Sequence, residues 1–267
     1  MSLFSCPVCK ERLDVDGRTY KCINNHCFDM AKEGYVNLLI GSKSTDLSGD
    51  DKEMVSARTR FLGLGFYEPL RNKVCDIMKE LCGYEFSLLD AGCGEGYYTS
   101  AYSEIAKETV GVDISKAAIK HASKMCKKAS FAAASVYHLP LADNSFDVVV
   151  NCFSPNAPDE FSRVLKNGGY LLYVVPGAKH LWELKSILYD NPYENEEKTE
   201  QYDGFCLQGV ESVKNEFVLS CGEDVKALYH MTPYTWNTPK EGAKRLENVS
   251  ELNVTADFRI HIFKCSK

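Results

Sequence analysis

The sequence predicts an α/β fold: a doubly wound, mostly parallel sheet with a small metal-binding unit at its N-terminus. Three observations carry this. Short apolar runs alternate with helical periodicity between about residues 85 and 176. The first run ends at Asp90 and opens into three glycines at spacing two, Gly92, Gly94 and Gly96. Four of the twelve cysteines lie before residue 40.

The elements follow in order. Residues 1–40 read as short strands and knuckles, with Asp16-Gly17 as a hairpin turn signal. The polar, Gly/Ser-rich stretch 41–51 reads as a mobile linker. Residues 52–62 are helical, and a second helix carries Leu70, Val74, Ile77, Met78 and Leu81 at helical spacing. Strands are expected at 87–90, 109–112, 130–133, 146–152 and 170–175. Helices are expected at about 116–127 and 159–166, the latter stopped by Asn167-Gly-Gly169. Alternation of this kind implies right-handed crossovers. Residues 212–220 and 254–264 alternate with period two, as antiparallel edge strands do, and 222–230 between them reads as a helix. The implied organisation is a zinc-binding unit at 1–40, a linker and helical connector at 41–84, and the α/β domain at 85–267. No internal repeat or low-complexity segment is present.

The totals bound the function. A chain of 267 residues, 45% hydrophobic and 25% charged, is ordinary for a globular protein with a substantial core. The net charge of -6 argues against bulk nucleic-acid affinity but leaves room for a local basic patch. No apolar run reaches the length of a membrane span, and the N-terminus lacks the basic and apolar regions of a signal peptide. A cytoplasmic location, with thiols or metal ligands in place of disulfides, is therefore expected.

The glycine spacing separates two cofactors. A dinucleotide fingerprint needs Gly or Ala five residues after its first glycine. That place holds Tyr97 counted from Gly92 and Thr99 counted from Gly94. The pyrophosphate reading fails. Asp90-x-Gly-x-Gly-x-Gly96 instead resembles motif I of the class I S-adenosylmethionine (SAM) methyltransferases, whose fold carries a seven-stranded sheet. In this reading the glycines let the backbone approach the methionine and ribose parts of SAM. Asp113 closes the next strand, where an acid accepts from ribose hydroxyls; the competing role is a helix cap before Ser115. Glu95 suits the cationic sulfonium and ammonium of SAM, against simple surface solvation. Ser135 stands where motif III reaches the adenine edge, and Leu139-Pro140-Leu141 is similar to the loop after it.

The spacing Cys6-x2-Cys9-x12-Cys22 followed by His26 or Cys27 brings four N/S ligands into a tetrahedron, the geometry of structural Zn²⁺. A 40-residue unit is too small to fold on its core alone, so metal binding would supply folding energy.

The zinc unit, the joining segment Phe28-Asp-Met-Ala-Lys-Glu-Gly-Tyr35 and the Leu88–Thr99 turn together resemble the bacterial 23S rRNA (guanine-N1)-methyltransferases. The likeness extends to Arg58, Tyr67-Glu-Pro-Leu-Arg71, Pro176-Gly177, His180-Leu-Trp-Glu-Leu-Lys185 and Met231-Thr-Pro233. The resemblance implies zinc ligands Cys6, Cys9, Cys22 and His26. It implies a SAM pocket lined by Tyr67 and His180, with Glu95 and Gly96 in the turn. It also implies a 23S rRNA hairpin as substrate and a homodimer. Read from the residues alone, Tyr67 is a helix-start aromatic and His180 a loop histidine.

Methyl transfer to guanine N1 needs a positioned nucleophile and an acceptor for the N1 proton. His138, His180, Asp159 and Glu160 are candidates for that acceptor. Phe153 is a candidate to stack on a flipped base, and Asn151 to bond its edge. Lys10, Arg12, Arg18, Lys21 and Lys32, with Arg58, Arg60 and Arg71, are candidates for phosphate contacts. Acids are nearly as frequent there, so a solvated surface competes. Two other functions fit parts of the sequence: a quinone-like small-molecule O- or C-methyltransferase with a purely structural zinc, and a non-catalytic RNA-binding protein that holds SAM.

Overall fold

A computed structural model describes residues 3–40 and 49–267; the expected linker at 41–51 lies largely outside the described residues. The chain opens with β1 (Asp14–Asp16), β2 (Thr19–Lys21) and β3 (Cys27–Asp29), an antiparallel three-stranded sheet. β4 (Tyr35–Asn37) leaves that unit, and α1 (Lys52–Leu62) and α2 (Glu68–Cys82) follow. Asp51 starts α1 because its carboxylate accepts the Met54 N–H at 2.8 Å.

The α/β layer then runs β5 (Ser87–Ala91), α3 (Tyr97–Tyr102), β6 (Glu108–Asp113), α4 (Lys116–Met125) and β7 (Ser130–Ala133). It continues with β8 (Phe146–Cys152), α5 (Pro158–Val164), β9 (Leu165–Pro176) and α6 (Trp182–Leu188). β10 (Phe205–Leu219), α7 (Gly222–His230), α8 (Tyr234–Asn237), α9 (Lys240–Glu247) and β11 (Leu252–Cys265) complete it. β9 begins five residues earlier than the alternation indicated. The stretch from Leu165 pairs alongside Phe146 before Gly168, at φ +82°, allows the irregularity that brings Tyr170 opposite Val148.

The large sheet has the order β10-β11-β9-β8-β5-β6-β7-β4. Seven of these strands are those expected, parallel from β9 to β7 with an antiparallel pair, β10 and β11, at one edge. The eighth corrects the seven-strand expectation. β4 pairs in parallel with β7, Val36 opposite Ala132, and extends the sheet from within the N-terminal 40 residues. Three residues are too few for a period-two signal, so periodicity could not reveal it.

Cores cover both faces. One gathers Phe61, Leu70, Val74 and Met78 with Leu184, Leu228 and the inner side of β11. The other joins Phe4, Leu13, Tyr20, Val36 and Leu38 of the N-terminal unit to Val110, Val112, Ala132, Leu141 and Phe146. The small unit thus buries its apolar side on the sheet, at roughly 1.5–3 kcal/mol for each large side chain. It is also tied through the Leu139–Leu141 loop: Ser5 N donates to Pro140 O at 2.8 Å, and Phe4 bridges Leu141.

Candidate functional site

A cavity of about 630 Å³ opens at the carboxyl ends of β5, β6, β8 and β9. This is the switch point of the sheet, where neighbouring crossovers leave in opposite directions. Its size suits a cofactor.

The Gly92–Gly96 turn forms one wall. Gly92 has φ +82°, and a Cβ there would lie 1.9 Å from Ser154 Oγ, so the turn and the loop after β8 meet only because that side chain is missing. Gly94, Glu95, Asp113, Ser135, Tyr67 and His180 also line the cavity. Two expected site residues do not. Asp90 is buried behind the turn, where it accepts the Thr99 hydroxyl at 2.6 Å and ties α3 to the end of β5. Gly96 faces α4; a Cβ there would lie 2.8 Å from that of Ala122. Both shape the turn from behind, and spacing cannot separate such residues from those that line the cavity.

Asp113 accepts Gly94 N–H at 2.9 Å through one oxygen and Ser115 N–H at 2.8 Å through the other. Ser115, not Asp113, caps α4, since its hydroxyl accepts from Ala118 N. Each Asp113 oxygen keeps acceptor capacity toward the cavity. Burial pushes its carboxyl above the ordinary range. Burial likewise lifts Asp90 to about 7 and Glu95 to about 7, the latter despite Arg58 beside it. Glu95 Oε2 is buried without a hydrogen-bond partner. An orphaned carboxylate oxygen facing an apolar-walled cavity calls for a cationic donor, which SAM has. The residues present fit that cofactor.

His180 is buried and pushed down to about 3, first by desolvation and then by Lys185. Its Nδ1 accepts Asp257 N–H at 3.2 Å, so the neutral ring carries its proton on Nε2, 3.5 Å from the Tyr67 hydroxyl. Phe153 lies over this pair at the mouth, its ring 6.1 Å from that of His180 at 22°. Phe153 is 45% exposed and has φ +55°, a conformation costly for an aromatic residue.

Other expectations are corrected. Asn151 is fully buried and donates to Ala91 O and Pro155 O, so it braces the loop after β8 and cannot reach a base edge. Glu160 is taken by Arg163 and by Leu139 N–H. His138 and Asp159 lie outside the cavity wall, and His180 has no free basic nitrogen. None of the four is placed as the proton acceptor. Arg58 lies in the cavity wall, and Arg60 pairs with Asp224 at 2.7 Å, so neither joins an outer basic patch. Arg71 lies over the Tyr97 ring, 3.4 Å from Glu68. Lys10, Lys21 and Lys32 are exposed on the N-terminal unit; Arg12 pairs with Asp14, and Arg18 bonds Ala31 O. Asp50, Tyr137 and Tyr234 line the cavity unforeseen, because they come from stretches without a motif, and Tyr98 does so from within the Leu88–Thr99 turn, where the glycine spacing gave no role to its side chain.

The second centre is the cysteine cluster. The ligand atoms of Cys6, Cys9, Cys22 and His26 lie within 4.8 Å of one another. Cys9 and Cys22 sulfurs are 3.7 Å apart, and His26 Nδ1 is 3.5 Å from Cys6 Sγ and 3.4 Å from Cys22 Sγ. Tetrahedral Zn²⁺ with bonds of about 2.3 Å to sulfur and 2.0 Å to nitrogen requires edges of roughly 3.5–3.8 Å. The donor set therefore fits zinc. Cys27 donates to Asn25 O and lies outside the cluster, which holds His26 as its fourth donor.

Two family models match. Residues 89–173 match the model described as a methyltransferase domain, and residues 4–43 the zinc-ribbon model described as "RlmA, N-terminal". YxjB of Bacillus subtilis, a candidate 23S rRNA (guanine-N1)-methyltransferase, is 34% identical over 98% of this chain and 96% of its own length. The 23S rRNA (guanine(748)-N1)-methyltransferase of Streptomyces fradiae is 37% identical over 68% of this chain and 66% of its own. Among solved structures, the YcgJ protein of Bacillus subtilis superposes with a TM-score of 0.52 at 17% identity, over 73% of this chain and 99% of that one, a likeness of fold alone.

Proposed function

The chain belongs to the family of 23S rRNA (guanine-N1)-methyltransferases, and on that premise we propose that it transfers a methyl group from SAM to N1 of a guanine in a 23S rRNA hairpin. The observation that carries this reading is the joining of a four-ligand zinc ribbon to the same sheet that holds a cofactor-sized cavity. A free-standing ribbon would say little about the acceptor. A ribbon built into the sheet edge is held in a constant relation to the cavity, as a substrate-positioning element must be.

Bound SAM supplies an electrophilic methyl group on a sulfonium. The chain's own residues bind and orient the reactants. Asp113 has acceptor capacity for the ribose hydroxyls, Ser135 for the adenine edge, and Glu95 for the ammonium group. Gly92 and Gly94 keep side chains out of the turn. Tyr67 and His180 form a neutral, buried hydrogen-bonded pair in the wall beneath Phe153, which excludes water without adding charge beside a cation. Phe153 offers an exposed ring face at the mouth on which an unstacked guanine can lie. Lys10, Lys21 and Lys32 supply phosphate contacts from the ribbon. A homodimer is the assembly we infer from the family, measurable by sedimentation. Among the described residues no helix is long and apolar enough to cross a membrane.

The test is to incubate the protein with labelled SAM and undermethylated 23S rRNA and to map the product by mass spectrometry. One methyl on N1 of a hairpin guanine is expected. Methylation of a small metabolite with none on RNA would overturn the reading in favour of a small-molecule methyltransferase.

A further inference from the structure

The charges in the cavity wall are unbalanced in a way that assigns a residue. Among the described lining residues there are three carboxylates, Asp50, Glu95 and Asp113, and one permanent cation, Arg58. His180 is neutral. SAM carries two positive groups, the sulfonium and the ammonium, and one negative group, its carboxylate. Three carboxylates attract the cations but repel the ligand's own carboxylate, and in a desolvated site that repulsion is strong.

Arg58 is built to answer it. It reaches in from the middle of α1 and pairs with Asp50 beside the start of α4. Its Nη1 stands 3.7 Å from Glu95 Oε2, too far for a hydrogen bond, which leaves that oxygen without a hydrogen-bond partner. Its Nη2 reaches Met231 O at only 3.4 Å. A guanidinium has five donors in a planar fork, and here only the Asp50 contact is strong. Nη1 is also next to the Gly94 backbone: a Cβ on Gly94 would lie 3.5 Å away. The guanidinium therefore borders the part of the turn that the cofactor reading gives to the methionine end.

We propose that Arg58 binds the carboxylate of SAM and is the residue by which this site requires an amino-acid tail on its cofactor. Glu95 takes the neighbouring ammonium, so the amino acid is read by an Arg–Glu pair that also holds the two residues in place before the ligand arrives. The proposal rests on the reading of this cavity as the SAM site.

Isothermal titration of the intact, zinc-loaded protein tests it with two ligands: SAM, and decarboxylated SAM, which keeps both cations and lacks the carboxylate. Wild type is expected to prefer SAM. Arg58→Met is expected to weaken SAM by roughly 10- to 100-fold, the scale of one lost charge-assisted bidentate contact. The same variant should alter decarboxylated SAM less than about threefold, so the preference collapses. Equal losses for both ligands would mean that Arg58 only holds Asp50 and Glu95 in place, and would overturn the proposal, as would no loss at all. Arg58→Lys keeps the charge without the fork and carries the comparison if the Met variant does not fold; it should lose part of the SAM affinity and none of the other. Failure of wild type to bind either ligand would instead overturn the cofactor reading on which the proposal stands.

Discussion

Single side chains set the electrostatics of the site. Asp90 ionises near pH 4 in an unfolded chain and at about 7 when buried. Its folded value is raised, so its contribution to stability is complete below about pH 4 and is lost as pH rises through 7, at about 1.4 kcal/mol per pH unit. Asp90→Asn removes this slope while leaving an acceptor for Thr99. Urea denaturation of the ligand-free protein at pH 5, 6, 7 and 8 should show the variant gaining on wild type by roughly 2–3 kcal/mol across that range. A constant difference would show that the buried carboxyl is not what titrates. His180 has the opposite sign: its folded value is depressed, and its contribution is present above about 6.5 and lost as pH falls toward 3. Phe153 makes a different prediction. Phe153→Gly releases a strained backbone worth on the order of 1 kcal/mol, which offsets lost ring contacts. Its thermal midpoint should stay near that of wild type and SAM affinity should be unchanged, whereas methylation of an rRNA hairpin should fall at least about tenfold. Phe153→Trp should retain most activity, since any flat ring can stack. Loss of SAM affinity in the glycine variant would count against an acceptor-side role.

At the scale of elements, the knuckles and β4 matter most. Cys22→Ser removes a ligand from a site whose binding energy folds the ribbon. Zinc content should fall from one ion per chain to nearly none, and the Cys6–Asp29 region should become sensitive to protease. Cys27→Ser should keep its zinc, because the Cys27 thiol lies outside the cluster. Zinc loss in the second variant would reassign the fourth ligand. How much of this was legible differs from one element to the next. The runs 130–133, 146–152 and 222–230 coincide with the observed β7, β8 and α7, because their ends are marked by turn residues or abrupt changes in polarity. The early start of β9 was hidden by Asn167-Gly-Gly169, which reads as a stop and is instead an irregularity inside the strand pairing.

For the molecule as a whole, the ribbon and the sheet share a core. Removing residues 1–40 would strip β4 from the sheet edge and expose Val110, Val112 and Leu141, so truncation cannot isolate the role of the ribbon. Val36→Asp is the better probe. It places a carboxylate at a fully buried position of β4, at a cost of several kcal/mol to docking. Zinc content and SAM affinity should stay within about threefold of wild type, the segment at residues 30–40 should be cleaved faster, and hairpin methylation should fall. Undiminished methylation with a detached ribbon would show that its attachment to the sheet is not needed for substrate delivery.

The sequence by itself determined the fold class, the cofactor and the metal. Each is written in local spacing: glycines two apart after an apolar run, cysteines three apart on a knuckle, and an acid closing the next strand. Local spacing reports which backbone conformations and ligand bites are available, and those depend on few residues. Only the tertiary structure decided which members of a motif line the cavity, that Arg58 turns inward, that Asn151 braces a loop, and that His26 stands with the three cysteines while Cys27 does not. It also decided that the ribbon is continuous with the sheet. These outcomes depend on where segments distant in sequence come to rest. Burial, partner and direction of a side chain are set by neighbours that no single stretch of the chain contains.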